Sequence, residues 1–123
     1  MDLDEQFPMK LIGQISWFGG PNNEIIGPTP VKRAFRRSHT QLVLGCEIYG
    51  YKYDISLTSV DGLRFTGNFA GTRGYKKLTA DADAKLFSNA EGYLLWGQWR
   101  EEDGEFIWCA ELHPVKVFPD EGK

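Results

Sequence analysis

Strict alternation of apolar and polar positions is the feature that most limits how this chain can fold. In the segment 41–49, "QLVLGCEIY", the side chains of Leu42, Leu44, Cys46 and Ile48 fall on one side of an extended chain. Successive side chains of a β-strand point to opposite faces, so a period of two predicts a strand with one buried face. Similar segments recur along the chain, separated by turn-forming residues. The pattern therefore predicts an all-β protein.

Eight predicted strands cover most of the chain, at residues 9–18, 31–37, 41–49, 51–59, 63–70, 82–88, 93–100 and 105–112. Most are joined by short turns, which favours an antiparallel meander. Eight such strands with one apolar face can close into a small β-barrel, and a two-sheet β-sandwich is the alternative. The length of 123 residues predicts one domain over 1–123, with loosely held ends at 1–8 and 118–123.

The hairpin around residues 60–62 has a register that the sequence predicts. A three-residue loop with Gly62 in the left-handed conformation pairs Ser59 with Leu63. Leu57 then lies opposite Phe65, and apolar and polar side chains separate onto two faces. A sheet with one buried face requires that separation, so we predict this loop.

The segment 93–114, "YLLWGQWREEDGEFIWCAELHP", holds three of the four tryptophans. A turn at Asp103-Gly104 pairs Trp99 with Trp108 on a face that is otherwise apolar, which predicts a buried cross-strand pair. Trp96 then points to the opposite face, between Lys85 and Glu111. A tryptophan surrounded by polar groups is a common contact residue, although packing under a loop or strand would also explain it.

Residues 19–30, "GGPNNEIIGPTP", are predicted to form a long loop because they are rich in glycine, proline and asparagine. Two isoleucines in this loop have no strand to join, so they are candidates for contact with a ligand. The leading hypothesis is a non-catalytic binding module, which holds a small apolar ligand at the barrel mouth or a protein partner on the face that carries Trp96. Its predicted contact residues are Trp96, Lys85, Glu111, Gln98, Ile25 and Ile26.

Binding of a polyanion such as nucleic acid is an alternative function. Residues 31–85 carry ten Lys/Arg and five Asp/Glu, a balance of +5, whereas the rest carries four and twelve, a balance of −8; together they give the net charge of −3. Basic groups interleaved with aromatic rings suit phosphate and base contacts, but the pI of about 5.4 argues against a dedicated nucleic-acid-binding protein. The anion-binding candidates are Lys32, Arg33, Arg36, Arg37, His39, Arg73, Lys76 and Lys77.

An enzyme with polar residues inside the barrel is a third hypothesis, and the sequence does not favour it. Cys109, Glu111 and His113 share one face of a predicted strand, but Cys109 and His113 would be ~13 Å apart and could not share a metal or a proton. The chain has no phosphate-binding loop, zinc-binding spacing or nucleophile motif. We therefore predict no catalytic residue, no metal site and no cofactor.

The compartment is predicted to be the cytoplasm. The segment "MDLDEQF" has neither the basic nor the apolar part of a secretory signal, and no stretch is apolar enough to span a bilayer. Cys46 and Cys109 are too few for a disulfide framework, so both are predicted to be free thiols. No membrane is expected among the partners, while a homo-oligomer stays open.

In length, strand number and all-β pattern, the chain resembles the small meander barrels of the avidin and lipocalin-like group. Gly97-Gln98-Trp99 matches the short G-x-W of lipocalins, although theirs lies on the first strand and this one lies near the C-terminal end. The resemblance concerns the architecture alone and implies a small meander barrel. It assigns no ligand-binding residue, because no family ligand set maps onto this sequence.

Overall fold

The computed structural model describes residues 7–102 and 104–115 and contains eight strands in a closed antiparallel meander. The predicted barrel is confirmed and the sandwich is wrong. Most of the predicted loose ends, residues 1–6 and 118–123, lie outside the described residues. The strands are β1 (Met9–Gly19), β2 (Glu24–Ser38), β3 (Gln41–Ile48), β4 (Tyr51–Ser59), β5 (Arg64–Arg73), β6 (Lys76–Ser88), β7 (Tyr93–Glu101) and β8 (Gly104–Pro114).

Pairing of β1 with β8 closes the barrel, from Leu11 opposite Pro114 to Gly19 opposite Phe106. We define the upper end by the turns after β1, β3, β5 and β7, and the lower end by the turns after β2, β4 and β6. Both ends of the described chain lie at the lower end, because β1 begins there and β8 finishes there.

The predicted loop 19–30 is wrong over most of its length, because β2 begins at Glu24 and pairs with β1. The register shifts where Gly27 and Pro28 together oppose Ser16, which is a β-bulge. A bulge tolerates a proline inside a strand because it needs no ladder hydrogen bond there. Gly27 has a φ of +99°, and a Cβ on it would lie 2.9 Å from the carbonyl oxygen of Ile15.

Pairing of β4 with β5 differs from the prediction by two residues. Ser59 lies opposite Phe65 rather than Leu63, so the loop is longer than three residues. The carboxylate of Asp61 accepts hydrogen bonds from the backbone N–H groups of Leu63 and Arg64 at 2.8 and 2.9 Å, which holds the longer loop in place. These bonds lower the pKa of Asp61 to about 2. A shift of two keeps every side chain on its predicted face.

Pairing of β7 with β8 differs by two residues as well. Glu101 pairs with Gly104, so the chain reverses one residue earlier than the predicted Asp103-Gly104 turn, whose Asp103 lies outside the described residues. Trp99 consequently lies opposite Phe106, and the direct Trp99–Trp108 pair is wrong. Pairing of β6 with β7 follows the predicted register throughout.

Trp108 nevertheless contacts Trp99 diagonally, with ring centroids 5.7 Å apart, and both side chains are fully buried. Trp108 lies opposite Gly97 on β7, and its indole reaches across that strand to donate Nε1 to the carbonyl oxygen of Asp83 on β6, at 3.0 Å. A Cβ at position 97 would come within 1.8 Å of the same oxygen. Gly97 is therefore the gap that lets the indole cross the sheet.

The interior of the barrel is filled with side chains. Towards the upper end Trp17, Tyr53 and Trp99 contact one another at centroid distances of 5.3–6.1 Å, and Phe69 stacks on Trp99 at 3.6 Å. Burial, with smaller contributions from Glu101 and two neighbouring groups, raises the pKa of Tyr53 to about 12. This aromatic layer and the aliphatic residues below it form a continuous core.

The lower end holds a buried arginine. The guanidinium of Arg36 lies between the rings of Phe7 and Tyr93, 5.4 and 5.3 Å from their centroids. It also donates to the carbonyl oxygen of His39 at 3.2 Å. Arg36 is 3% exposed, so it seals the core rather than facing solvent.

Candidate functional site: the Trp96 face

A continuous row of apolar side chains crosses the outer wall of the barrel from β6 to β2. The register makes its members successive neighbours: Phe87 lies opposite Leu94, Trp96 opposite Cys109, and Ile107 opposite Phe18. All of them point away from the core, since the alternate residues of each strand are the buried ones. We name this row the apolar stripe: Phe87, Leu94, Trp96, Cys109, Ile107, Phe18 and Ile25.

Trp96 lies near the middle of the stripe and is 49% exposed. The ring of Phe18 leans over β8 and stacks on the indole, with centroids 6.4 Å apart and planes 26° apart. Sequence reasoning placed Phe87 and Ile107 on the outer face of the sheet but did not select them, or Phe18, as contact residues. The alternation of side chains along β1, β6 and β8 could have identified them, because it places all three on the outer face of the barrel.

The polar neighbours of Trp96 are partly as predicted. Lys85 lies opposite Trp96 on β6, as expected, but the residue opposite on β8 is Cys109. Glu111 lies one step lower, opposite Leu94, where it accepts a hydrogen bond from Gln14 Nε2 at 3.1 Å.

Asp83 and Gln98 stand above Lys85 and Trp96 on the same face. Asp83 forms an ion pair with Arg100, with its Oδ2 3.2 Å from both terminal guanidinium nitrogens. Asp83 Oδ1 also accepts the backbone N–H of Gln98 at 3.3 Å. Polar groups that are already bonded to each other therefore border the upper part of the stripe.

The two isoleucines of the predicted loop lie on opposite sides of β2. Ile25 pairs with Phe18 on β1 and is 70% exposed, so it continues the stripe. Ile26 pairs with Trp17 and packs against the core. The inference that both lacked a core strand is wrong for Ile26 because β2 starts earlier than predicted.

Both cysteines are free thiols in different surroundings. Cys46 is buried inside the barrel, and burial is the main cause that raises the pKa of its thiol to about 12, with Asp54 and Glu47 adding to it. Cys109 is half-buried on the stripe, and its pKa is raised by burial and then by the nearby Glu111. Neither thiol is therefore an activated nucleophile at neutral pH.

The basic candidates do not form one surface. Lys32 and Arg33 pair with Glu47 and Asp54 on β3 and β4. Arg36 lies inside the barrel, in contrast to the exposed Arg37 and His39. Arg73, Lys76 and Lys77 belong to the β5–β6 hairpin at the upper end, and Arg73 packs over the ring of Tyr51 at 5.0 Å from its centroid.

Within residues 7–102 and 104–115 no group of three or more His, Cys, Asp or Glu side chains could hold a metal ion. In the same part of the chain there is no helix long and apolar enough to cross a membrane. Comparisons with protein-family models, curated proteins and solved structures gave no match. The architecture is that of an eight-stranded meander barrel, and the site is defined by this chain alone.

Proposed function

We propose that the protein is a non-catalytic binding module that docks a protein partner, itself presenting a narrow apolar strip, on the Trp96 face. The observation that carries the proposal is the continuity of the apolar stripe over five strands on an outer wall. Scattered single apolar residues are normal on a surface, but a contiguous row with a polar border is typical of a contact site.

A small apolar ligand at the barrel mouth is the weaker form of the hypothesis. The upper mouth is occupied by the rings of Trp17, Tyr53 and Trp99 in mutual contact, and the lower end by Arg36 between two rings. A ligand would have to displace these buried groups, which costs several kcal/mol of packing.

Polyanion binding and catalysis have less support still. The charges of Lys32 and Arg33 are paired with carboxylates of neighbouring strands, and the two basic segments lie on different strands of the sheet.

A relationship to the avidin and lipocalin-like barrels is supported only by the eight-strand meander architecture. A cytoplasmic location is supported by two free thiols, which persist in a reducing compartment.

Site-specific photo-cross-linking in cells that express the protein natively tests the docking surface. A photoreactive residue placed at Ile107, within the stripe, is expected to give a covalent protein adduct. The matched position Asn68, exposed on β5 outside the stripe, is expected to give none.

Two substitutions of exposed aromatic residues complete the test. Trp96→Ser should remove the adduct formed at position 107, whereas Tyr75→Ser, in the β5–β6 turn, should leave it. An adduct that forms equally at positions 68 and 107, or that survives Trp96→Ser, would contradict the proposal.

A further inference from the structure

We infer that the partner on the Trp96 face is a second copy of this chain, related to the first by a two-fold axis that runs along the apolar stripe. This inference rests on the proposed docking function and specifies its partner. Three properties of the stripe carry it: its direction, its size and the charges on its two sides.

The stripe is nearly parallel to the barrel axis. From one member to the next, the stripe moves either to the neighbouring strand, a step of ~4.8 Å, or two residues along the same strand, a step of ~6.6 Å. The direction of the barrel axis follows from the register around the closed sheet. Pairing partners lead from Trp17, near the upper end of β1, through Trp108, Gly97, Ala84, Phe65 and Ser59 to Thr40. Thr40 lies in the turn after β2 at the lower end, where β1 begins.

One circuit of the sheet thus starts near the upper end of the barrel and finishes near its lower end. This offset tilts the strands by ~40° against the barrel axis, as in other eight-stranded barrels. The stripe is inclined to the strands in the same sense as the barrel axis is. The stripe is therefore a straight ridge rather than a belt around the barrel. Two convex barrels can touch along such a ridge over its whole length, ~23 Å by the same spacings.

The exposed area matches a weak symmetric dimer. Ile107, Trp96, Phe87 and Ile25 are exposed by 42, 49, 51 and 70%. With ~200 Å² for a large side chain, they present on the order of 400 Å². Homodimer interfaces are ~65% apolar, so a polar border would bring each copy to roughly 600 Å². That area lies at the small end of specific interfaces, and we expect a dissociation constant in the micromolar range.

The charges beside the stripe are self-complementary under this axis. Lys85 stands on one side and Glu111 on the other, roughly 12 Å apart. Within the described part of the chain neither forms an ion pair. Rotation about the stripe brings Lys85 of one copy to within about 5 Å, in the plane of the face, of Glu111 of the second copy. Long side chains span that offset, and the symmetry forms the pair twice.

The uncharged border follows the same rule. Gln98 lies on the Lys85 side and Ser16 on the Glu111 side, and the rotation sets each near the other residue of the second copy. A parallel arrangement of two identical barrels thus opposes apolar with apolar and polar with polar groups. Exposed ion pairs contribute little free energy, so Lys85 and Glu111 determine the orientation more than the affinity.

Sedimentation equilibrium of the full chain at low ionic strength, from about 5 to 500 µM, measures the association. We expect the mass to rise with concentration from 14.0 kDa towards twice that value. Lys85→Glu and Glu111→Lys should each weaken dimerisation by about tenfold or more, because each variant opposes like charges twice. Tyr75→Ser is the control and should associate like the wild type.

The charge swap is the decisive arm. The double variant Lys85→Glu/Glu111→Lys should dimerise like the wild type. An equimolar mixture of the two single variants should form a heterodimer that is about tenfold or more tighter than the self-association of either variant alone. Both results require the reciprocal contacts of a two-fold axis. Far-UV circular dichroism of each variant checks that the barrel is folded.

A monomeric mass over the whole concentration range, or a double variant no better than the singles, overturns the second-copy inference. The cross-link at position 107 separates this failure from failure of the docking function. An adduct of two chains of this protein supports both the docking function and the dimer. A stripe-specific adduct with a different protein contradicts only the dimer. The absence of any stripe-specific adduct contradicts both proposals.

Discussion

The core of the barrel and the apolar stripe on its outer wall use the same residue types with opposite consequences. Trp99, Cys46 and Ile26 point inward, whereas Trp96, Cys109 and Ile25 point outward from the same sheet. The inward members bury their surface within one chain and therefore stabilise the fold. The outward members keep their surface available and can stabilise only a complex. Three matched pairs thus allow folding and binding to be tested separately.

The tryptophans give the largest expected difference. Trp99→Ala removes a fully buried side chain stacked on Phe69 and should lower the free energy of unfolding by about 3–5 kcal/mol. Urea denaturation followed by circular dichroism measures it. Trp96→Ala, half exposed on the same strand, is the matched control, and a loss comparable with that of Trp99→Ala would show that the stripe belongs to the folding core.

The cysteines and Tyr53 extend the comparison to pH. Burial keeps Cys46 and Tyr53 neutral in the folded state, with pKa values of about 12. Their contribution to stability is complete below the unfolded pKa values of about 9 and 10 and is lost as the pH rises towards 12. At pH 10.5 the buried thiol alone should cost on the order of 2 kcal/mol, seen as a lower urea midpoint.

Thiol alkylation checks the same contrast without denaturant. Cys109, half-buried on the stripe, should react with a maleimide well before Cys46, which should react only as the barrel unfolds. Equal labelling rates under native conditions would mean that the interior is open to solvent.

Ile25 and Ile26 are adjacent in the sequence, but serine substitutions at the two positions should differ by about 1–2 kcal/mol in their effect on the free energy of unfolding. Ile26→Ser places a hydroxyl against the core next to Trp17 and should destabilise the fold by roughly that amount. Ile25→Ser changes a side chain that is 70% exposed and should alter stability by less than ~0.5 kcal/mol. Thermal unfolding of the two variants measures this difference. An Ile25→Ser variant less stable than Ile26→Ser would contradict the prediction.

Trp96→Ser should lower the free energy of unfolding by at most ~1 kcal/mol, from the lost stacking on Phe18. The same substitution should abolish concentration-dependent association. A folded, monomeric variant would separate binding from folding. A variant that unfolds instead would show that Trp96 is a structural residue.

The alternation of inward-facing and outward-facing residues along each strand, which we call parity, accounts for most of the successful sequence predictions. The alternation of β3, β6, β7 and β8 placed Leu95, Trp99 and Trp108 in the core and Trp96 outside, as the structure has them. Parity survives a register error of two residues, which is why the β4–β5 and β7–β8 hairpins kept their faces while their partners changed.

The failures came from turns and from the start of β2. Asp61 holds a longer loop through its own carboxylate, and the bulge at Gly27 and Pro28 turns a sequence typical of loops into a strand. The Asp61 hydrogen bonds lie within the loop itself, whereas the bulge depends on the pairing of β2 with β1. Local composition describes neither, because it counts turn-forming residues without their hydrogen bonds and without the strand that pairs with them.

The sequence by itself determined that the chain is an all-β meander, which side of every strand except β2 is buried, and that one of three clustered tryptophans faces outward. These follow from a period of two, a property of the backbone alone. Only the tertiary structure decided that Trp96 has Phe18 beside it, that Ile25 extends the same stripe, and that Arg36 lies inside. Closure of the barrel brings β1 against β8, and no local pattern specifies which residues that closure makes neighbours.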